Sequence, residues 1–129
     1  MAEPKRKKVL IVEDTDSVLM VMKRWVGNMG YDVITAEDGR EALEKVRKDP
    51  PDMVLLDVMM PEMNGFAVCR ELRSYDTMKK IPIVIVTALP ASADSDEAKM
   101  SGANEVVIKP VTQSDLTRRV RHYLGSAFK

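Results

Sequence analysis

Five polar residues stand where apolar runs stop. Val9-Leu10-Ile11-Val12 ends at Glu13 and Asp14, Met53-Val54-Leu55-Leu56 ends at Asp57, residues 81–86 end at Thr87, and Glu105-Val106-Val107-Ile108 ends at Lys109. Holding an ionised carboxylate such as Asp57 at the mouth of a hydrophobic segment costs free energy, because the charge gives up part of its water. Singly, each residue has an ordinary reading. Asp57 caps a turn, and Glu13 and Asp14 favour the positive end of the next helix. Thr87 is a β-branched strand residue, and Lys109 lays its stem on apolar surface. Together they make a different chemistry. Three carboxylates at one place repel unless a cation intervenes. A few hard oxygen ligands suit Mg2+, which keeps several waters and shares its shell with phosphate. Lysine offers phosphate a point charge, and a threonine hydroxyl donates to a phosphoryl oxygen. A carboxylate nucleophile with these companions is a phosphoryl-transfer site.

That chemistry requires the runs to end on one edge. They are continuous, not alternating, which marks strands buried on both faces. Between them the period turns helical. Val18, Met22, Trp25, Val26 and Met29 share one face of a helix over residues 17–29, capped by Asp16 or Ser17 and ended by Gly30. Residues 31–36 alternate as a short strand. Asp38 and Gly39 open a helix with Ala42, Leu43 and Val46 inward, stopped by Pro50 and Pro51. Pro61 and Asn64-Gly65 punctuate the loop after Asp57. Phe66, Cys69 and Leu72 mark a third helix, with Arg73 outward. Residues 90–102 read as the weakest helix, rich in Ala, Ser and Asp. Leu116, Val120, Tyr123 and Leu124 line a last helix capped by Thr112 or Ser114. Five strands thus alternate with five helices, which predicts an α/β fold with a parallel sheet covered on both faces. Right-handed crossovers bring the carboxyl ends of all strands to one edge, where open sheets of this kind bind ligands.

Composition narrows the alternatives. The 129 residues are 45% hydrophobic and 31% charged with a net charge of zero, the profile of a folded domain without a global pull towards nucleic acid or anionic membrane. Lys5-Arg6-Lys7-Lys8 is the one basic cluster and reads as a solvated tail. The single cysteine, Cys69, rules out an internal disulfide and reads as a small buried hydrophobe. The single histidine, His122, excludes a histidine metal site and lies with Arg118 and Arg121 on a solvated face. No run approaches the roughly 20 apolar residues of a membrane helix, and the expected compartment is a reducing cytoplasm.

The motifs Val-Leu-Ile-Val-Glu13-Asp14, Leu-Leu-Asp57-x-Met-Met-Pro61-x-Met-Asn-Gly65, Thr87-Ala88, Gly102-Ala103 and Lys109-Pro110 resemble the receiver domain of two-component response regulators, as in the stand-alone chemotaxis regulators. The resemblance implies a flavodoxin-like doubly wound (βα)5 fold of strand order 2-1-3-4-5, with a receiver unit over residues 7–127 behind a basic tail at residues 1–6. It implies that Asp57 accepts a phosphoryl group from a sensor histidine kinase or a histidine phosphotransfer protein. Asp14 and Asp57 would bind Mg2+, Glu13 contributing through water and Met59 through its backbone carbonyl. Thr87 would hydrogen-bond the acyl phosphate, Lys109 would pair with it, and Pro110 would follow a cis bond. The only catalysis implied is the chain's own aspartyl phosphorylation and dephosphorylation. Output is expected through contacts with a downstream protein, with neither nucleic acid nor membrane bound. Only residues 125–129 follow the last helix, so the alternative is the receiver of a larger regulator.

Two positions depart from the pattern. Val106 stands where many members carry Tyr or Phe, and Glu13 stands where Asp is common. Rival readings meet specific obstacles. A haloacid-dehalogenase phosphatase needs an acid at the position of Met59. A constitutive receiver-like scaffold would lack an acid, the threonine or the lysine, and a flavin-binding relative would want a phosphate-cradling loop where Glu13 and Asp14 stand.

Overall fold

The apolar runs pair side by side. In the computed structural model, which describes residues 6–58, 64–88 and 99–125, the strands are β1 (Lys8–Val12), β2 (Asp32–Ala36), β3 (Met53–Leu56), β4 (Ile83–Thr87) and β5 (Glu105–Ile108). They form one parallel sheet in the order β2-β1-β3-β4-β5. Helices α1 (Asp16–Asn28), α2 (Gly39–Lys48) and α3 (Gly65–Ser74), a 3-10 turn at Asp76–Met78 and the C-terminal helix (Gln113–Leu124) connect and cover the strands. This is the flavodoxin-like (βα)5 arrangement. Most of the expected fourth helix lies outside the described residues; residues 99–101 are helical, and Gly102 ends that turn at φ 92°.

Alternation along the strands divides the core between the two faces of the sheet. Leu10, Val12, Val54, Leu56 and Ile83 pack with Ala42, Val46, Cys69 and Leu72 of α2 and α3. Val9, Ile11, Met53, Leu55 and Val84 pack with Leu19, Met22 and Val26 of α1 and with Leu116 and Val120 of the C-terminal helix. A third cluster is made of Val58, Phe66 and Ile85, with Val106 packed against it. Among the described residues no helix is long and apolar enough to cross a membrane.

Local chemistry sets the helix starts. Asp38 accepts from the Glu41 amide at 2.8 Å and Thr112 from the Asp115 amide at 3.0 Å. At α1 the cap position falls to Thr15, without a side-chain bond, and not to Asp16 or Ser17. Arg73 does not point outward as expected. Its guanidinium donates to the carbonyls of Met78 (2.7 Å), Ile81 (2.6 Å) and Gly102 (2.9 Å) and to Asn104 Oδ1 (2.7 Å). Carbonyls from two turns converge beside the end of α3, and a fork of five donors satisfies them where water would otherwise have to enter.

Candidate functional site

Three of the expected residues hang directly on the sheet ladder. The Glu13 amide donates to the Ala36 carbonyl at 3.0 Å, the Asp57 amide to Val12 at 3.0 Å, and the Lys109 amide to Thr87 at 2.7 Å. Each is the first residue beyond its strand, yet a neighbouring strand fixes its backbone. The sheet ladder therefore fixes the backbone from which each of these side chains projects.

They converge. Glu13, Asp14 and Asp57 each place a carboxylate oxygen within 4.8 Å of the others. Glu13 is 1% exposed and Asp57 4%, while Asp14 is half-buried. The Lys109 ammonium donates to Glu13 Oε2 at 2.7 Å and to Asp57 Oδ2 at 3.3 Å. The other Glu13 oxygen accepts the Thr15 amide at 3.2 Å. Thr87 is wholly buried at the end of β4. The peptide bond between Lys109 and Pro110 is cis. Met59 lies outside the described residues.

Electrostatics follow from this crowding. Burial pushes the Glu13 carboxyl above its ordinary value, the Lys109 hydrogen bond pulls it back, and the Asp57 charge adds to the rise. Burial opposes the charge on Lys109, but the hydrogen bond to Glu13 and the charges of Asp57 and Glu13 outweigh it, and its pKa ends raised. The ammonium therefore stays charged at neutral pH, held by the acids it offsets. Three carboxylates with hard oxygen donors around one opening also form a set suited to a divalent cation.

The described residues flanking the loop after Asp57 meet, the Gly65 amide donating to the Val58 carbonyl at 3.3 Å. A Cβ on Gly65 would lie 2.3 Å from Val58 Cα, so only glycine allows the start of α3 to touch the backbone just beyond Asp57. Asn64 caps the helix, its Oδ1 accepting the Phe66 amide at 2.7 Å. In the sequence this Asn-Gly pair is loop punctuation; its role as a close-contact seam has no local signature. Trp25 packs against the core on the α1 side, as its place on the apolar stripe predicts, and, being only partly buried, it also lines a groove beside Lys109. Val106 packs against Val58, Phe66 and Ile85, occupying apolar space on the face opposite α1.

Comparisons with known proteins agree with this geometry. The family description "Response regulator receiver domain" matches residues 9–121. A probable transcriptional regulator, ycf27, of Pyropia yezoensis is 39% identical over 127 residues, covering 98% of this chain and 51% of that protein. The chain thus spans about half the length of the curated relatives it matches. The chemotaxis protein CheY4 of Vibrio cholerae superposes with a TM-score of 0.89 at 33% identity, covering 93% of this chain and all of that one. The receiver domain of the sensor histidine kinase PA1611 of Pseudomonas aeruginosa, solved with magnesium coordinated in its active-site cleft, superposes with a TM-score of 0.86 at 26% identity, covering 95% of this chain and 100% of that one.

Proposed function

The chain belongs to the response regulator receiver domain family, and from that premise we propose that it is a phosphorylation switch whose acceptor is Asp57. The observation that carries this reading is the Lys109 ammonium set 3.3 Å from Asp57 inside a cluster of three carboxylates at the carboxyl ends of the strands. Asp57 supplies the nucleophilic oxygen. Lys109 offers charge to the incoming phosphoryl oxygens, and Thr87, one strand over, offers its hydroxyl to the acyl phosphate. As in the family, catalysis extends only to the chain's own aspartyl phosphate.

Asp14 and Asp57 are the residues that would hold Mg2+, and the backbone carbonyl of Met59 completes the set the resemblance implies. Glu13 already engages Lys109 and the Thr15 amide through its two oxygens, which suits a contribution through water. When bound, the ion neutralises charge on the phosphoryl oxygens. The phosphoryl source is a phosphohistidine on a sensor kinase or a phosphotransfer protein, and the switched surface acts on a downstream protein. The receiver unit extends over residues 7–127. Curated relatives of about twice this length favour a second setting, in which the chain acts as the receiver part of a larger regulator.

Incubation with Mg2+ and a phosphohistidine-bearing protein, followed by intact mass, tests the reading. Wild type should gain one phosphoryl group, and Asp57→Asn, of the same shape without the nucleophile, should gain none. Comparable gain by Asp57→Asn would remove the assignment.

A further inference from the structure

Beside the acidic site, a groove of about 550 Å3 separates α1 from the chain leaving β4 and β5. Val18, Val21 and Trp25 form its α1 side, Ala88 and Pro110 the opposite side, and Lys109 is the charged residue among those lining it. The apolar surface is not spare core. Val21 is 43% exposed, and Trp25 is only partly buried. The volume lies in the range of small-molecule sites, roughly 300–1,000 Å3, and apolar walls with one polar anchor are their usual lining.

Two observations tie this groove to the phosphoryl chemistry. Lys109 belongs to both places, its ammonium 3.3 Å from Asp57 Oδ2. Ala88 directly follows Thr87, so the groove begins where β4 and β5 deliver their reactive residues. In-line displacement puts nucleophile and leaving group on opposite sides of phosphorus. With Asp57 buried at the end of β3, the leaving group has to lie away from the core, and the groove lined by Lys109 and Ala88 offers room for it.

Resting on the reading of Asp57 as the acceptor, we propose that the groove is a leaving-group subsite and that it favours phosphoryl donors with a flat, apolar leaving group. Aromatic acyl phosphates are the class that fits. The phosphoryl oxygens lie against the Lys109 ammonium while the ring covers Trp25 and Val21. In the transfer, a carboxylate oxygen of Asp57 forms the new bond to phosphorus. The bond from phosphorus to the acyl oxygen breaks, and its electron pair leaves with the aromatic carboxylate. No proton is gained or lost at neutral pH.

The test compares benzoyl phosphate with acetyl phosphate on the full chain with Mg2+. The initial rate of phosphoryl mass gain is divided by each donor's own rate of hydrolysis, which removes intrinsic reactivity. Wild type should prefer benzoyl phosphate by about tenfold, the lower end of what a hydrophobic pocket discriminates. Val21→Glu, at an exposed helical position, and Trp25→Ala should each bring the ratio close to one. Trp25 is the single tryptophan, so binding has its own readout. Phenylphosphonate, which cannot transfer, should change wild-type emission where methylphosphonate does not, and Val21→Glu should weaken that response. Equal normalised rates, or a preference that both variants keep, overturns the subsite and leaves the receiver reading standing. Failure of both donors to add mass also overturns the subsite. The receiver reading falls with it only if a phosphohistidine-bearing protein also leaves the chain unmodified.

Discussion

Arg73 Nε donates to the Gly102 carbonyl at 2.9 Å across 29 residues of sequence, and Gly102 leaves room for it by having no side chain. A Cβ there would lie 2.8 Å from Arg73 Cγ, on a residue already at φ +92°. The same guanidinium holds Asn104 Oδ1, which also accepts the Ile83 amide at 2.8 Å. One side chain thus fastens the end of α3 to the start of both β4 and β5. Arg73→Met keeps the stem but leaves the carbonyls of Met78 and Ile81 without this donor. The expected loss is about 2–3 kcal/mol, measured by urea unfolding. Arg73→Lys should recover only part of it, because an ammonium cannot reproduce the fork. Wild-type stability in Arg73→Met would show the network to be replaceable by water.

That arginine also shows where the sequence stops being legible. Strand positions follow from continuous apolar runs, and the helices of α1, α2 and α3 from apolar spacing, because both signals are local. The convergence of Glu13, Asp57 and Lys109 follows from topology, since parallel strands deliver their ends to one edge. Nothing local marks Arg73 as turned inward. Its partners come from segments up to 31 residues away, and an arginine next to Leu72 on an amphipathic helix reads as surface. Leu19 likewise falls outside the stripe that spacing predicts through Val18, although Leu19 is the more buried of the two. Neighbouring apolar residues on one helix differ by 100° in direction, and only the packed partner decides between them.

Gly65 separates steric need from backbone freedom. The atom its missing Cβ would strike, Val58 Cα at 2.3 Å, is backbone and cannot rotate away. Gly65→Ala should therefore displace the start of α3 and cost about 2–3 kcal/mol. The displaced seam borders Asp57, so phosphoryl gain should slow as well. Unchanged urea midpoint and unchanged phosphorylation would mean that the loop absorbs the methyl group elsewhere.

Gly27 predicts the opposite sign. It lies inside α1 with nothing within 4 Å of a built Cβ. Alanine adds no clash there and removes backbone freedom from the unfolded chain. Gly27→Ala should stabilise by about 0.5–1 kcal/mol, seen as a higher urea midpoint at unchanged slope. A lower midpoint would count against the open space at this position.

Cys69 should be chemically silent while the domain is folded. It is fully buried on α3, and burial pushes its thiol above the ordinary value of 9.0, with Ser101 and nearby arginines only partly opposing the rise. A raised folded pKa contributes stability that is present below the unfolded value and lost as pH rises through the folded one. Stability should therefore begin to fall as pH passes about 9. At pH 8 a disulfide reagent should modify native protein at least about a hundredfold more slowly than urea-unfolded protein, because only opened molecules react. Equal rates would place the thiol at the surface.

The acidic site carries a pH dependence of its own. Burial raises Glu13 above 4.5, Lys109 restrains the rise, and the charge of Asp57 adds to it. Such a carboxyl contributes stability that is fully present below its unfolded pKa and lost as pH climbs through the folded value. In wild type, the ammonium 2.7 Å away keeps that loss small. Lys109→Met removes both the hydrogen bond and the charge, so Glu13 should titrate higher and the loss should deepen. The variant should approach wild-type stability at pH 4 and fall about 2–3 kcal/mol below it at pH 7.5. Asp57→Asn takes away the charge that pushes Glu13 up, so its effect at pH 7.5 should be stabilising, by about 1 kcal/mol. Mg2+ should recover part of the Lys109→Met loss at pH 7.5, since a divalent cation offsets the same carboxylates. Urea unfolding across pH 4–8, with and without Mg2+, measures all three responses. Parallel profiles for wild type and Lys109→Met would mean that the ammonium is not what holds these carboxylates together.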